Sequence, residues 1–180
     1  MVYVFLAEGF EEIEALTVVD VLRRADISVK TVGICGSEII GSHGITVKTD
    51  LKIEELKKEE ITAVILPGGM PGAVNLKGSN ALAEILLYAN ENAKILAAIC
   101  AAPLVLGNLG LLNGRCATCY PGFEDQLIGA KTQNKKVCVD ENIITASGPA
   151  AAIDFALMLV QKIKDTATAN KIRKGMLLEV

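Results

Sequence analysis

The sequence predicts an α/β protein: a doubly wound, mostly parallel sheet sandwiched by helices. Three observations carry this. Hydrophobic residues fill 51% of the 180 positions and aromatics only 4%; such an aliphatic core suits parallel strands and packed helices better than an aromatic-rich β-sandwich. Short apolar runs alternate with helical periodicity along the chain. Finally, residues odd for strand ends (Glu8-Gly9, Gly68-Gly69 and Cys100) stand where apolar runs stop. In open α/β sheets, chemistry gathers at the carboxyl ends of the strands.

The elements follow in order. "VYVFLA" (Val2–Ala7) is a strand, broken by "EGFEE". Ile13 to Ala25 reads as a helix. "SVKTVGI" (Ser28–Ile34) is β-branched and weakly alternating, a second strand. "GSEIIGSHGITVKTD" has short runs bounded by glycine, as in a hairpin. "LKIEELKKEE" is a charged connector or solvated helix face. "AVILPGG" (Ala63–Gly69) is a third buried strand closed by Pro-Gly-Gly. Asn80 to Asn92 is a helix with Ser79 as its cap, Ile95 to Ile99 a strand, and Ala101 to Gly107 a helix. "RCATC", "KKVCVD" and "NIITA" are strand-like. Pro149 to Lys164 is a long helix, which Thr166 to Lys174 extends or follows after a bend. With no linker or repeat, residues 1–180 read as a single domain.

Composition excludes several functions. A net charge of −3 gives no basic footprint for nucleic acid. No apolar segment approaches the roughly 18 residues of a membrane span. Met1-Val2-Tyr3 starts a strand with no signal-peptide n-region, so a cytoplasmic location is expected. Five cysteines, an odd number, fit free thiols better than a disulfide framework. No G-x-G-x-x-G follows the first strand and there is no P-loop, so no nucleotide cofactor is expected. "CATC" (Cys116 to Cys119) has strand-like flanks that would turn its thiols to opposite faces. With one histidine and no second C-x-x-C, a zinc site lacks ligands. No metal is expected.

The chemistry centres on "AKILAAICAAP" (Ala93 to Pro103). A strand that turns straight into a helix holds its junction residue exposed and strained, as in a nucleophile elbow. Cys100 takes that position, with the small Ala101 and Ala102 beside it. Pro103 falls in the first helical turn, where a missing N–H costs little. Free N–H groups and the helix dipole would favour the thiolate, so its pKa is expected below the free value of ~8.5. A small buried hydrophobe is the competing reading.

Two neighbours bear on the choice. In "LPGGMPG" (Leu66–Gly72), glycines directly after a strand let backbone N–H groups face an anion; an ordinary Pro-Gly turn is the alternative. If that strand lies beside the Cys100 strand, Gly69 N–H could complete an oxyanion hole. At roughly 100° per residue, Glu14 shares the apolar arc of Val18, Val21 and Ala25, while Glu12, Asp20 and Arg23 lie on the other side. A carboxylate on a core-facing arc needs partners or a proton, unless it escapes to water at the helix start.

"EGFEEIEAL", "DVLRRADISV", "LPGGMPGAVNL", "AAICAAP", "CYPGFED" and "SGPAAAIDFAL" together resemble the ThiJ/PfpI superfamily, in the branch of the Parkinsonism-associated protein deglycase, over essentially the whole chain. The resemblance implies a flavodoxin-like sandwich and a homodimer. It implies Cys100 as an oxidation-sensitive nucleophile, Glu14 as a protonated glutamate bonded to its sulfur, and Gly69 and Ala101 as backbone oxyanion donors. Gly68, Cys119, Tyr120, Pro121 and His43 are candidates to line the substrate. His43, in the hairpin, is either a solvated turn residue or one that reaches a partner subunit's pocket.

Two departures stand out. Many members carry a histidine before the proline of "CYPGF", where this chain has Tyr120. Their "SRGPG" reads here as "ASGPA" (Ala146 to Ala150). The implied function is a cofactor-independent, cysteine-dependent enzyme acting on reactive carbonyls such as methylglyoxal, glyoxal or their adducts on thiols, amines or proteins. The alternatives are a redox-responsive, chaperone-like binding protein with little turnover, and, more weakly, an intracellular cysteine peptidase.

Overall fold

A computed structural model describes residues 1–178. Seven strands form one sheet: β1 (Val2–Leu6), β2 (Val29–Gly33), β5 (Leu51–Lys52), β6 (Ala63–Leu66), β7 (Ile95–Ile99), β10 (Val137–Asp140) and β11 (Ile143–Ala146). Their order is β10-β11-β7-β6-β1-β2-β5. Every neighbouring pair is parallel except β10 with β11. Outside this sheet, β3 (Glu38–Ile40) and β4 (Thr46–Lys48) make an antiparallel hairpin, and β8 (Cys116–Ala117) pairs with β9 (Lys131–Thr132).

The strand alternation sorts the core into two layers. Val2, Val4 and Leu6 face one side, with α1 (Glu12–Arg24), α5 (Ala152–Ile163) and α6 (Thr166–Gly175). Tyr3 and Phe5 face the other, with α2 (Gly72–Lys77), α3 (Asn80–Glu91) and α4 (Pro103–Asn108). This is the flavodoxin-like sandwich that the sequence predicts.

Several expectations shift in detail. The third strand stops at Leu66, so Pro67-Gly68-Gly69 is already loop. The Lys52–Glu60 connector holds two short 3₁₀ turns, at Ile53–Glu55 and Lys58–Glu60. Pro149–Ala151 is a 3₁₀ turn, and the α-helix starts only at Ala152. α2 was not expected. Its Ala73 and Leu76, at a spacing of three, bury against the sheet, but the glycines around them mask the pattern. Ser79 caps α3 as expected, accepting from Leu82 N–H.

Chain order reverses between β1 and β6: β2 and β5 follow β1 outward on one side, and β7 and β11 follow β6 on the other. At such a switch point the loops after adjacent strands part and leave a crevice. The ends of β1, β6 and β7 therefore meet at one rim.

Candidate active site

Cys100 is the residue after β7, and its φ of 64° lies in the left-handed region that costs a non-glycine residue roughly 1–3 kcal/mol. Its backbone is held on both sides. Its N–H donates to Ala146 carbonyl at 2.9 Å, and its carbonyl accepts from Tyr120 N–H at 2.8 Å. Pro103 opens α4 three residues on. The elbow expected from the sequence is thus present, with the sulfur partly exposed.

Glu14 comes from the first turn of α1 and is completely buried. Its Oε2 accepts Gly68 N–H at 2.7 Å. Its Oε1 is buried without a hydrogen-bond donor, and the Cys100 thiol lies beside the carboxylate. Gly68 has no room for a side chain: a Cβ there would stand 2.7 Å from Cys100 Cβ and 2.8 Å from Glu14 Oε2. Its N–H is committed to Glu14 rather than offered to a substrate.

Burial raises the Glu14 carboxyl to about 7, against the opposing pull of Gly68 N–H and Cys100, with Glu11 adding to the rise. Burial, and then the charge of Glu14, push the Cys100 thiol up to about 12. That corrects the expectation of a thiol pKa below the free value. The Ala101 and Gly69 N–H groups do bond the sulfur and lower its pKa, but a neighbouring carboxylate outweighs two backbone dipoles in a partly dry site. At neutral pH Glu14 is near its midpoint, so the pair takes up one negative charge as pH rises through about 7. Moving the thiol proton to Glu14 places that charge on sulfur, facing both N–H groups.

The remaining candidates scatter. Cys119 is buried, and burial followed by Glu124 raises its thiol to about 11. With Pro121, Ser147 and Asn134 it lines a polar groove of about 270 Å³. The Tyr120 ring is half exposed and stacks edge-on against Phe123, with centroids 6.5 Å apart. The His43 ring bonds Glu12 Oε2 at 3.0 Å and Ser42 Oγ at 3.1 Å. Its partners are thus in the hairpin and the start of α1. Cys116 and Cys119 are both free thiols. Glu12, placed on the solvent side by helical periodicity, is buried instead. No signal within α1 marks it, because the hairpin that covers it lies some thirty residues further on.

Fold and site define a flavodoxin-like α/β protein whose sheet ends in a strained, glutamate-paired cysteine. The chain belongs to the DJ-1/PfpI family, which it matches over residues 1–162. It is 34% identical over 181 residues to the Parkinson disease protein 7 homolog of Danio rerio, covering 98% of this chain and 96% of that protein. It is 29% identical over 173 residues to the glutathione-independent glyoxalase DJR-1.2 of Caenorhabditis elegans, covering 95% and 92%. Oxidized DJ-1 of Toxoplasma gondii superposes with a TM-score of 0.93 at 38% identity, covering 98% and 97%.

Proposed function

We propose that the protein is a cofactor-independent, cysteine-dependent enzyme acting on reactive carbonyls, of the glyoxalase or deglycase type. The observation that carries this is the buried Glu14 carboxyl, held by Gly68 N–H with the Cys100 thiol beside it. A carboxyl poised at about 7 is well matched to exchanging a proton at neutral pH. The relative named a glutathione-independent glyoxalase supports the substrate class.

In this reading Cys100 sulfur adds to the aldehyde carbon of methylglyoxal as its proton passes to Glu14, giving a hemithioacetal. Gly69 and Ala101 N–H groups, which bond the resting sulfur, stabilise negative charge there and on the new alkoxide. Glu14 hands its proton to that alkoxide and, a carboxylate again, moves the proton of the former aldehyde carbon to its neighbour through an enediolate. Water cleaves the resulting thioester, releasing a 2-hydroxy acid and restoring the thiol. The same proton traffic serves hydrolysis of carbonyl adducts on thiols or amines.

The test is consumption of methylglyoxal by native protein, Cys100→Ser and Cys119→Ser. The first substitution abolishes turnover and the second leaves most of it. Equal losses would remove the single-nucleophile assignment. A native protein that consumed no methylglyoxal, yet gained two oxygens at Cys100 under peroxide, would instead favour a redox-responsive binding protein.

The proposal includes a cytoplasmic homodimer. Ile13 and Leu16 of α1 and Ile40 and Ile45 of the adjoining hairpin stay exposed, and an apolar patch of this kind fits a second copy of the chain.

A further inference from the structure

We infer that the apolar groove between α2 and α4 belongs to the substrate site, where it takes a flexible apolar arm of the carbonyl compound ending in a carboxylate. This rests on Cys100 being the nucleophile. The groove measures about 460 Å³, with Met70, Val74, Leu104 and Phe123 in its walls and Lys77 among them. Met70 and Val74 are 51% and 48% exposed, so these large apolar side chains stand in water beside the elbow.

Three links join groove and cysteine. Met70 follows Gly69, whose N–H bonds the sulfur. Phe123 N–H donates to Tyr120 carbonyl at 3.1 Å, and Tyr120 N–H donates to Cys100 carbonyl. Leu104 N–H donates to Ala101 carbonyl at 3.1 Å. A substituent leading away from a carbonyl at Cys100 therefore has the groove beside it.

Charge sets the arm's far end. Glu14 sets its charge beside the sulfur, which repels a carboxylate held close to the reacting carbon. Lys77 ends α2, and five steps at roughly 1.5 Å rise carry it about 7.5 Å along the helix from Gly72, at the far end from Met70. No acid pairs with Lys77 among the described residues. An apolar chain across the groove would bring its terminal carboxylate to that ammonium.

The test needs no turnover. Iodoacetamide, N-hexyl iodoacetamide and iodoacetamidohexanoate each lose iodide as a cysteine sulfur bonds their methylene carbon, and peptide mass reads the rate at each thiol. At Cys100 the hexyl reagent reacts about tenfold faster than iodoacetamide, the gain from burying about two methylenes. The hexanoate gains a further factor of about two, which Lys77→Ala removes. Exposed Cys35 shows neither preference, and Val74→Trp, which fills the groove, abolishes both at Cys100. Equal ratios at Cys35 and Cys100, or ratios unchanged in Val74→Trp, overturn the inference. Should Cys100 resist all three reagents, the nucleophile reading fails. The groove is then judged by octanoate: shifts of the Met70 and Val74 methyl resonances keep it, and their absence overturns it.

Discussion

At the scale of the residue, the reactive unit is a pair rather than a lone thiol. Cys100 and Glu14 share a charge that neither would hold alone in so dry a place. The rate of Cys100 alkylation should rise through about pH 7 and then level, as Glu14 gives up its proton. A profile rising only toward the free-thiol pKa of ~8.5 would count against the pairing. Stability carries the same signature. The folded-state pKa of Glu14 is raised above its unfolded value, so its contribution is full below about 4.5 and is lost as pH rises through about 7. Over that window the loss is roughly 3 kcal/mol, from 1.36 kcal/mol per pKa unit. Glu14→Gln should flatten this slope in urea unfolding and lose most carbonyl turnover while keeping the fold. Gly68→Ala should lose activity as well, because its methyl enters the space of Cys100 Cβ and Glu14 Oε2; overpacking of this kind costs about 1–3 kcal/mol. A Gly68→Ala protein with native turnover would show that the loop yields freely.

Between elements, the β3–β4 hairpin is bound to the start of α1 by one buried carboxylate. Burial would raise Glu12, but hydrogen bonds from the His43 ring and from the N–H groups of Glu12, His43 and Ile45 override it and hold the carboxyl at about 2. His43 is raised in return, by its bond to Glu12 first and by Glu11 and Glu12 charge after that. A depressed carboxyl stabilises above its unfolded pKa of about 4.5, and that contribution fades as pH falls toward 2. Glu12→Ala should therefore cost about 1–3 kcal/mol at neutral pH, and the gap to native protein should narrow in acid. A gap that stayed constant to pH 2 would exclude the carboxylate as its source. Helical periodicity could not locate this clamp. It places Glu12 away from the arc of Glu14, Val18 and Val21, yet a helix can be covered on a second face by any segment that folds back across it.

For the whole molecule, the exposed Ile13, Leu16, Ile40 and Ile45 predict assembly. Native protein should sediment as two chains, and Ile13→Glu, which sets a charge in that patch, as one; native protein that sediments as a single chain at micromolar concentration would refute the homodimer. The sheet, most of its helices and the elbow were readable along the chain, because period-two and helical patterns record which residues face a core. The strand ending at Ile99 and the small residues after Cys100 likewise announce a tight turn locally. The thiol's proton was not readable. Its affinity depends on Glu14, brought from 86 positions away in sequence, and on how much water the packed α1 and the Gly68 loop leave around both groups. Burial and charge proximity are properties of three-dimensional neighbours, so the chain alone could name the cysteine, and only the assembled sheet could set where its proton rests.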